Sequence, residues 1–484
     1  MAKKQEKKVE RKEQKGEKDS KGITAKKAED FSEWYTQVVQ KAELADYAPI
    51  QGFMIIRPNA YAIWENIQNY FNGVLREKKV DNAYFPLLIP ESFFKKEAEH
   101  AEGFAPELAY IEGKEEGERL ALRPTSETIM YDSYAKWIRS WRDLPLMMNQ
   151  WCNIIRWEVK QTKPFLRTRE FLWQEGHCVF ENEKGAEENM MEIIEEYRKI
   201  AEELLAIPVI VGKKSKSETF AGALRTMTIE ALMPDGKALQ CGTSHNLGQG
   251  VAKSFGISYL GKDAKQNTPW QTSWGFSTRL IGAMIMVHGD DRGLVIPPRI
   301  ARNKVVIVPI YFEDSKEKVL KKVKEVGREL EKFGVIVDDR EGYSPGWKFS
   351  EWEMKGIPIR IEIGPKDMEK KQAVLVRRDS GKKEVVSEKD VAKKVALELE
   401  SMQKEMFSRA EKFLKLHITE AKSMTELKKK TEEGNIVKAY FADERGVEDE
   451  IKTITGGATS RIVETAKKEG VCVFSGKKTN SVGW

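Results

Sequence analysis

WCNIIRWEVKQTKPFLRTREFLWQEGHCVF, residues 151–180, reads as a strand, a short polar loop and a longer strand returning beside the first. On the first arm the even positions are Cys152, Ile154, Arg156 and Glu158; the odd ones are Trp151, Asn153, Ile155, Trp157 and Val159. A side-chain period of two sets Arg156 and Glu158 on one face. Residues 161–164 turn the chain, and the return arm brings Arg167, Arg169, Glu170, Phe171, Trp173, Glu175 and His177. A sheet built only for packing puts apolar groups on its inner face. The arginine fork pairs bidentately with phosphate oxygens, and aromatic rings offer stacking surfaces. The hairpin is either a site for a polyphosphate and a flat ring or a salt-bridged surface ribbon.

A chain of 484 residues is too long for one core, so two or three domains are expected. Its 40% hydrophobic and 33% charged content is that of a globular protein. No apolar run approaches the roughly 18 residues that span a bilayer. The first residues lack the apolar core of a secretory signal. Cys152, Cys178, Cys241 and Cys472 form no CxxC pair, which suggests neither a disulfide framework nor a complete cysteine zinc site. The expected compartment is the cytoplasm. The net charge of +6 sits in residues 1–28, which hold eleven Lys and Arg against five Asp and Glu; the rest of the chain balances. This basic tail has little to bury and is expected to be disordered. It suits a loose hold on nucleic acid or a solubilising role equally.

Residues 30–44 carry Phe31, Trp34, Tyr35 and Val38 at helical spacing, and residues 52–58 read as a short buried strand. An amphipathic helix is expected over residues 60–79. Residues 83–94 read as a strand broken by Pro86 and Pro90, which belong at a sheet edge. Helix and edge strand suit a dimer contact or packing within the chain. LALRPTSETI, residues 120–129, ends a strand at Pro124 and opens a helix over 128–138. Thr125 or Ser126 can cap that helix and Glu127 favours its dipole. A hydroxyl and a carboxylate there can also hold an ammonium group.

A further helix is expected over 187–205, and KKSKSETFAGA, residues 213–223, reads in part as a surface loop. Residues 227–256 form a hairpin turning at Pro234-Asp235-Gly236. Its return strand leads to Gln240, Gly242, Thr243, Ser244 and His245, with Thr243 and His245 on one side. Residues 269–301 read as a strand feeding a helix with Arg279 in its first turn; a buried arginine needs a phosphate or a carboxylate. These segments form hairpins of antiparallel character. No GxxxxGK followed by Ser or Thr occurs, since residues 256–262 are followed by Asp263, and no GxGxxG follows a strand, so neither a P-loop nor a dinucleotide fold is indicated. From Asn303 strands and helices alternate, as in a small α/β domain, with a linker helix to about residue 415. Its Lys348, Arg360, Lys366, Arg377 and Arg378 suit RNA or a solvated rim. Residues 418–484 form a small third unit with helices over 419–432 and 447–453 and strands over 436–441 and 471–474, and Trp484 is expected to pack.

In this order the segments resemble the archaeal and eukaryotic-like prolyl-tRNA synthetases, which are class IIa aminoacyl-tRNA synthetases, over about residues 31–484. Helix 60–79 with Pro86 looks like motif one, the dimer element of the class. Arg156-Trp157-Glu158 and RTREF from Arg167 look like motif two, and GFSTRLIG, with Arg279, like motif three. PTSE, residues 124–127, looks like the proline-specific loop; WQEGH, residues 173–177, and CGTSH, residues 241–245, look like pocket segments.

The resemblance implies a disordered tail over 1–28 and an α+β catalytic domain over 29–302, built on an antiparallel sheet with helices. An α/β anticodon-binding domain over 303–409 and a small α+β domain over 410–484 would follow. It implies ATP-dependent activation of L-proline to prolyl-adenylate and transfer to tRNA(Pro), releasing AMP and diphosphate. Mg²⁺ would bridge the phosphates and the protein would be a homodimer. No protein nucleophile is needed, since catalysis is positioning and charge stabilisation. Arg156 would grip the alpha phosphate, Arg279 the gamma phosphate, and Arg167 the triphosphate end. Phe171 would stack on adenine, Glu158 and Gln240 would set the nucleotide, and Ser277 and Thr278 would lie near the adenylate. Thr125 and Glu127 would hold the imino group, while Trp173, His177, Thr243 and His245 shape the pocket. Lys348, Arg360, Lys366 and Asp367 would contact the tRNA.

Family members often bind zinc through four cysteines in the last domain. Here only Cys472 remains and Ser475 stands where its pair is expected, so no zinc is expected. The family's terminal tyrosine lies near the active site, a place Trp484 would take. The spacing between motifs two and three leaves no room for the bacterial editing insertion. Mischarging with alanine or cysteine would follow, because pockets separate such small differences weakly. Another class IIa synthetase, for threonine, serine or glycine, and a non-catalytic RNA-binding paralogue stay open. The pocket segments favour proline, and Arg156 with Arg279 favours activity.

Overall fold

The structure, a computed structural model, describes residues 22–98, 107–112 and 119–484 and falls into two compact units. One gathers residues 47–55, 63–287 and 405–484; the other gathers residues 22–46, 56–62 and 288–404. Most of the basic tail lies outside the described residues. Its end, however, is tied down: Lys27 donates from its backbone to Asp291 (2.8 Å) and from Nζ to the Gly289 carbonyl (2.7 Å).

Helix α1 (Phe31–Lys41) starts where the Asp30 carboxylate accepts from the Glu33 N–H. Helix α2 (Pro58–Glu77) starts on a proline, whose missing donor matters least in a first turn. Strand β1 (Asp81–Asn82) follows. Residues 83–94 are not one strand: β2 is only Leu88–Pro90, and α3 (Glu91–Ala98) begins directly after it. Two prolines without N–H groups and an acid at a helix start explain the difference. Then come β3 (Leu120–Leu122), α4 (Glu127–Trp137), β4 (Leu146–Ile155), β5 (Glu170–Phe180), α5 (Glu183–Lys199), β6 (Ile210–Lys213), β7 (Arg225–Leu232), β8 (Ala238–Gly248), β9 (Trp270–Ser277) and α6 (Arg279–His288).

The second unit builds a five-stranded sheet from β10 (Val305–Pro309), β11 (Val335–Val337), β12 (Ile359–Ile363), β13 (Gln372–Arg377) and β14 (Lys383–Ser387), in the order β11-β10-β12-β13-β14. The first three strands are parallel and the rest antiparallel. Here the expected rim of cations is corrected. Lys348 is buried and its Nζ donates to the Asp338 carbonyl at 2.9 Å. Arg360 is buried between Glu353 (3.0 Å) and Glu362 (2.9 Å). Arg377 pairs with Asp379 and Glu398, and Arg378 with Asp290. A buried guanidinium needs such partners, so these side chains hold the fold together. Lys366 is exposed, and Asp367 accepts from the Gly364 N–H at 3.0 Å.

Helix α7 (Val391–Leu416) leads to β15 (Ile418–Glu420), α8 (Met424–Glu432), β16 (Ile436–Tyr440), α9 (Arg445–Thr455), β17 (Val463–Val471) and β18 (Lys478–Gly483). The expected helix over 419–432 starts late, because Ser423 caps it. The hairpin of β17 and β18 replaces a single short strand; its run of charged residues carries no alternation to read. These strands join the first unit's sheet, whose order among the described residues is β15-β16-β18-β17-β6-β7-β8-β9-β5-β4-β1. The central pairings are antiparallel; β1 with β4 and β15 with β16 are parallel.

One face of the central strands packs rings. Trp151 lies 5.4 Å from Trp64 and 5.9 Å from Phe276, and Phe276 lies 5.0 Å from Tyr197. Gly176 makes that packing possible, since a Cβ there would sit 2.1 Å from the Trp274 ring. The opposite face carries the site.

Candidate active site

Arg156 and Glu158 do not extend the strand, which ends at Ile155; they come just after it. Both still line one pocket of about 330 Å³ with the side chains of β5. The Arg156 guanidinium carbon lies 5.5 Å from the Phe171 ring centre and 5.7 Å from that of Trp173. Burial lowers its pKa, opposed by the charge of Glu158. A guanidinium beside aromatic rings can still offer its N–H donors to an anion.

The segment leading into α4 is fixed by a buried carboxylate that sequence reasoning left out of the site. Glu175 accepts from the Ser126 N–H (3.1 Å) and the Gln150 amide (3.1 Å), and meets His177 Nε2 at 3.1 Å. Burial pushes the Glu175 pKa up, but the bonds from His177 and Ser126 outweigh it and hold it below the usual value. Ser126 occupies the N-cap of α4 without capping it; its hydroxyl accepts from Gln150 instead (2.8 Å). Thr125 and Glu127, on either side, line the pocket with His177 and Trp173. His177 Nδ1 meets the Tyr131 hydroxyl at 3.0 Å.

Gln240, Thr243 and His245 on β8 and Gly275 on β9 complete that side. His245 Nδ1 lies 2.9 Å from the Thr226 hydroxyl, and burial pulls its pKa down to about 3. Ser273, a pocket residue not singled out from sequence, is buried and its hydroxyl has no partner.

Arg279 opens α6 at the end of β9. Its guanidinium donates to the carbonyls of Leu166 and Gln240, both at 3.3 Å. Ser277 Oγ accepts from the Arg279 N–H (3.2 Å), and the Thr278 N–H bonds to Leu172 (3.0 Å). Arg167, Phe171, Ser277, Thr278 and Arg279 lie outside the lining of the 330 Å³ pocket, while the other residues expected for proline and nucleotide line it.

Residues 213–223 run as loop and turn beyond the end of β6 and are exposed at Lys213, Lys216 and Glu218, but part of the stretch turns inward. Lys214 and Ser215 are buried, and Lys214, Glu218 and Phe220 form a wall of the pocket. Phe220 stands 4.8 Å from the His245 ring. The polar composition hid this, because Lys214 is buried against Glu230 at 2.8 Å, a partner on the adjacent strand β7.

Residues 109–288 match the tRNA synthetase class II core domain (G, H, P, S and T), and residues 304–398 match the anticodon binding domain. A proline--tRNA ligase of Alkaliphilus oremlandii (strain OhILAs) is 52% identical over 456 residues, 93% of this chain and 94% of the relative. The chain belongs to the proline--tRNA ligase family. A proline--tRNA ligase of Cenarchaeum symbiosum (strain A) is 49% identical over 95% of the chain and 98% of its own length. The proline--tRNA ligase 2 of Clostridioides difficile (strain 630) is 47% identical over 94% and 96%. Among the described residues of this proline--tRNA ligase family member, no group of three or more His, Cys, Asp or Glu could hold a metal ion. No helix there is long and apolar enough to cross a membrane. Ser475 donates its N–H to Cys472 Sγ at 3.3 Å, and the Trp484 indole lies under Lys438 Nζ at 3.5 Å.

Proposed function

We propose that this chain activates L-proline with ATP and passes it to tRNA(Pro), and that the pocket on β5, β8 and β9 is where it does so. One observation carries the reading: a single small pocket gathers Thr125, Glu127, Trp173, His177, Thr243 and His245 beside Arg156, Glu158 and Gln240. Glu127 and Thr125 would hold the secondary ammonium of proline, and the Trp173 ring would pack on its methylenes. Ser273, with an unused hydroxyl, would gain a bond to the amino acid. Arg156 would stabilise the charge that builds on the alpha phosphate as the carboxylate attacks, with Arg167 and Arg279 toward the polyphosphate end and Phe171 on the adenine. Ser277 and Thr278 would fix the turn that aims Arg279. Mg²⁺ would arrive on the phosphates of ATP as part of the substrate, and zinc is not expected.

The unit matching the anticodon binding domain would hold the tRNA, with Lys366 the exposed cation among the residues expected there. The catalytic domain would end near residue 302, the anticodon domain near 409, and the remainder would form the third domain. The protein would be cytoplasmic and pair with a second copy through apolar groups left exposed, such as Tyr84 and Trp137.

ATP–pyrophosphate exchange across a panel of amino acids tests the reading. Exchange with proline, with at most weak exchange by alanine and cysteine, is expected. Exchange driven by threonine, serine or glycine instead would overturn the roles of Thr125, Glu127 and His177.

A further inference from the structure

The wall made by Lys214, Glu218 and Phe220 is not held only by its neighbours in the sheet. Glu448 on α9 is buried, and one carboxylate oxygen accepts from the Ser215 hydroxyl (2.8 Å) and the Ser217 hydroxyl. Its other oxygen accepts from the Ser460 N–H (3.1 Å) and hydroxyl (2.5 Å). Asp443 accepts from the Lys216 N–H at 3.0 Å. Arg461 donates to Glu230 from Nε (3.1 Å) and Nη2 (2.9 Å), and the second oxygen of Glu230 binds Lys214 Nζ at 2.8 Å. In contrast, β6 and β17 share a single registered pair, Val463 with Lys213. Charged side chains, rather than a long ladder, therefore fix this joint. From the wall the contacts run on to the pocket: the Phe220 N–H donates to the Thr226 hydroxyl (3.1 Å), which also meets His245.

Resting on the proposed reading of the pocket, we infer that Glu448 and Arg461 of the carboxy-terminal segment are positioning residues for proline recognition, holding the wall at 214–220 through Ser215, Ser217 and Glu230. Neither lines the amino-acid pocket. They act on the width of the pocket at Phe220 and on the placement of Lys214. A closely held wall fits the proline ring and leaves unfilled space around alanine. A wall set loose loses contact with the ring and discriminates less.

The test compares Glu448→Ala, Glu448→Gln and Ser217→Ala with wild type in ATP–pyrophosphate exchange. Hydrogen bonds to a buried charge are the stronger kind, so Glu448→Ala should raise KM for proline about tenfold or more. KM for ATP should stay near wild type, the preference for proline over alanine should fall, and Glu448→Gln should restore part of both. Ser217→Ala removes one hydroxyl at the surface of the wall and should give a smaller shift in the same direction. It keeps the test open if Glu448→Ala does not fold. An unchanged KM for proline in a folded Ser217→Ala and Glu448→Gln pair would overturn the inference. So would parallel losses in both KM values and kcat, the mark of a merely structural role. If wild type gives no proline exchange at all, the reading of the pocket fails first, and that is seen before any variant is made.

Discussion

The Arg156 guanidinium lies beside the rings of Phe171 and Trp173, and the residue lines the pocket. Replacing it with alanine should leave the fold intact and cut proline-dependent exchange by roughly a hundredfold or more, the usual cost of losing a group that meets developing charge. Exchange within a few-fold of wild type would remove it from the mechanism. His245 makes a different prediction. Unfolded, a histidine takes up its proton near pH 6.5, about the ordinary value; buried here, it does so only near 3. Between those values the unfolded chain binds more protons, so its contribution to stability falls as the pH drops from about 6.5, by up to about 1.4 kcal/mol per unit. Urea unfolding at pH 7.5 and 5.0 should show a smaller acid loss in His245→Asn than in wild type; equal losses would contradict the buried neutral ring. At this scale the sequence pointed to the pocket lining where a charge stood among apolar neighbours, as with Arg156, and where polar residues followed a strand end, as with Thr125 and Glu127. It was opaque where meaning depends on a distant partner. Lys214 sits in a stretch that reads in part as a surface loop until the next strand brings Glu230 to it, and Lys348 and Arg360 read as RNA contacts or a solvated rim for the same reason.

Among elements, the hairpin of β4 and β5 was legible as two strands around a polar loop with Pro164 in it, although the loop runs from 156 to 169 and is longer than the expected turn. Gly176 within it has no substitute. An alanine methyl would meet the Trp274 ring at 2.1 Å, in a layer where that ring is 2% exposed. Gly176→Ala should cost about 2 kcal/mol by overpacking. Because Glu175 and His177 flank it, KM for proline should rise as well. Thermal unfolding and exchange kinetics read the two effects, and a variant with wild-type stability would show that the ring layer yields. Period failed as a guide at β2 and α3, where prolines cut a strand short, and at β17 and β18, where pairing with a neighbour rather than pattern makes the strands.

For the whole molecule, the order of the segments carried the class, while the continuity of one sheet from β15 to β1 had no signature in any single segment. Exposed Tyr84 and Trp137, 72% and 48% accessible, are expected to be covered by a second copy. Sedimentation at micromolar concentration should give twice the chain mass, and a monomer throughout would leave these groups without that cover.

The joint between Ser215 and Glu448 also sets a schedule. The two residues are 233 positions apart in the chain. A ribosome delivers the pocket wall early and the groups that hold it nearly last. Until residues 448–461 emerge, Glu230 has Lys214 and Thr228 but not Arg461, and Ser215 and Ser217 lack the Glu448 carboxylate. A nascent chain halted after residue 415 would therefore carry every motif of the class and still lack a finished amino-acid pocket.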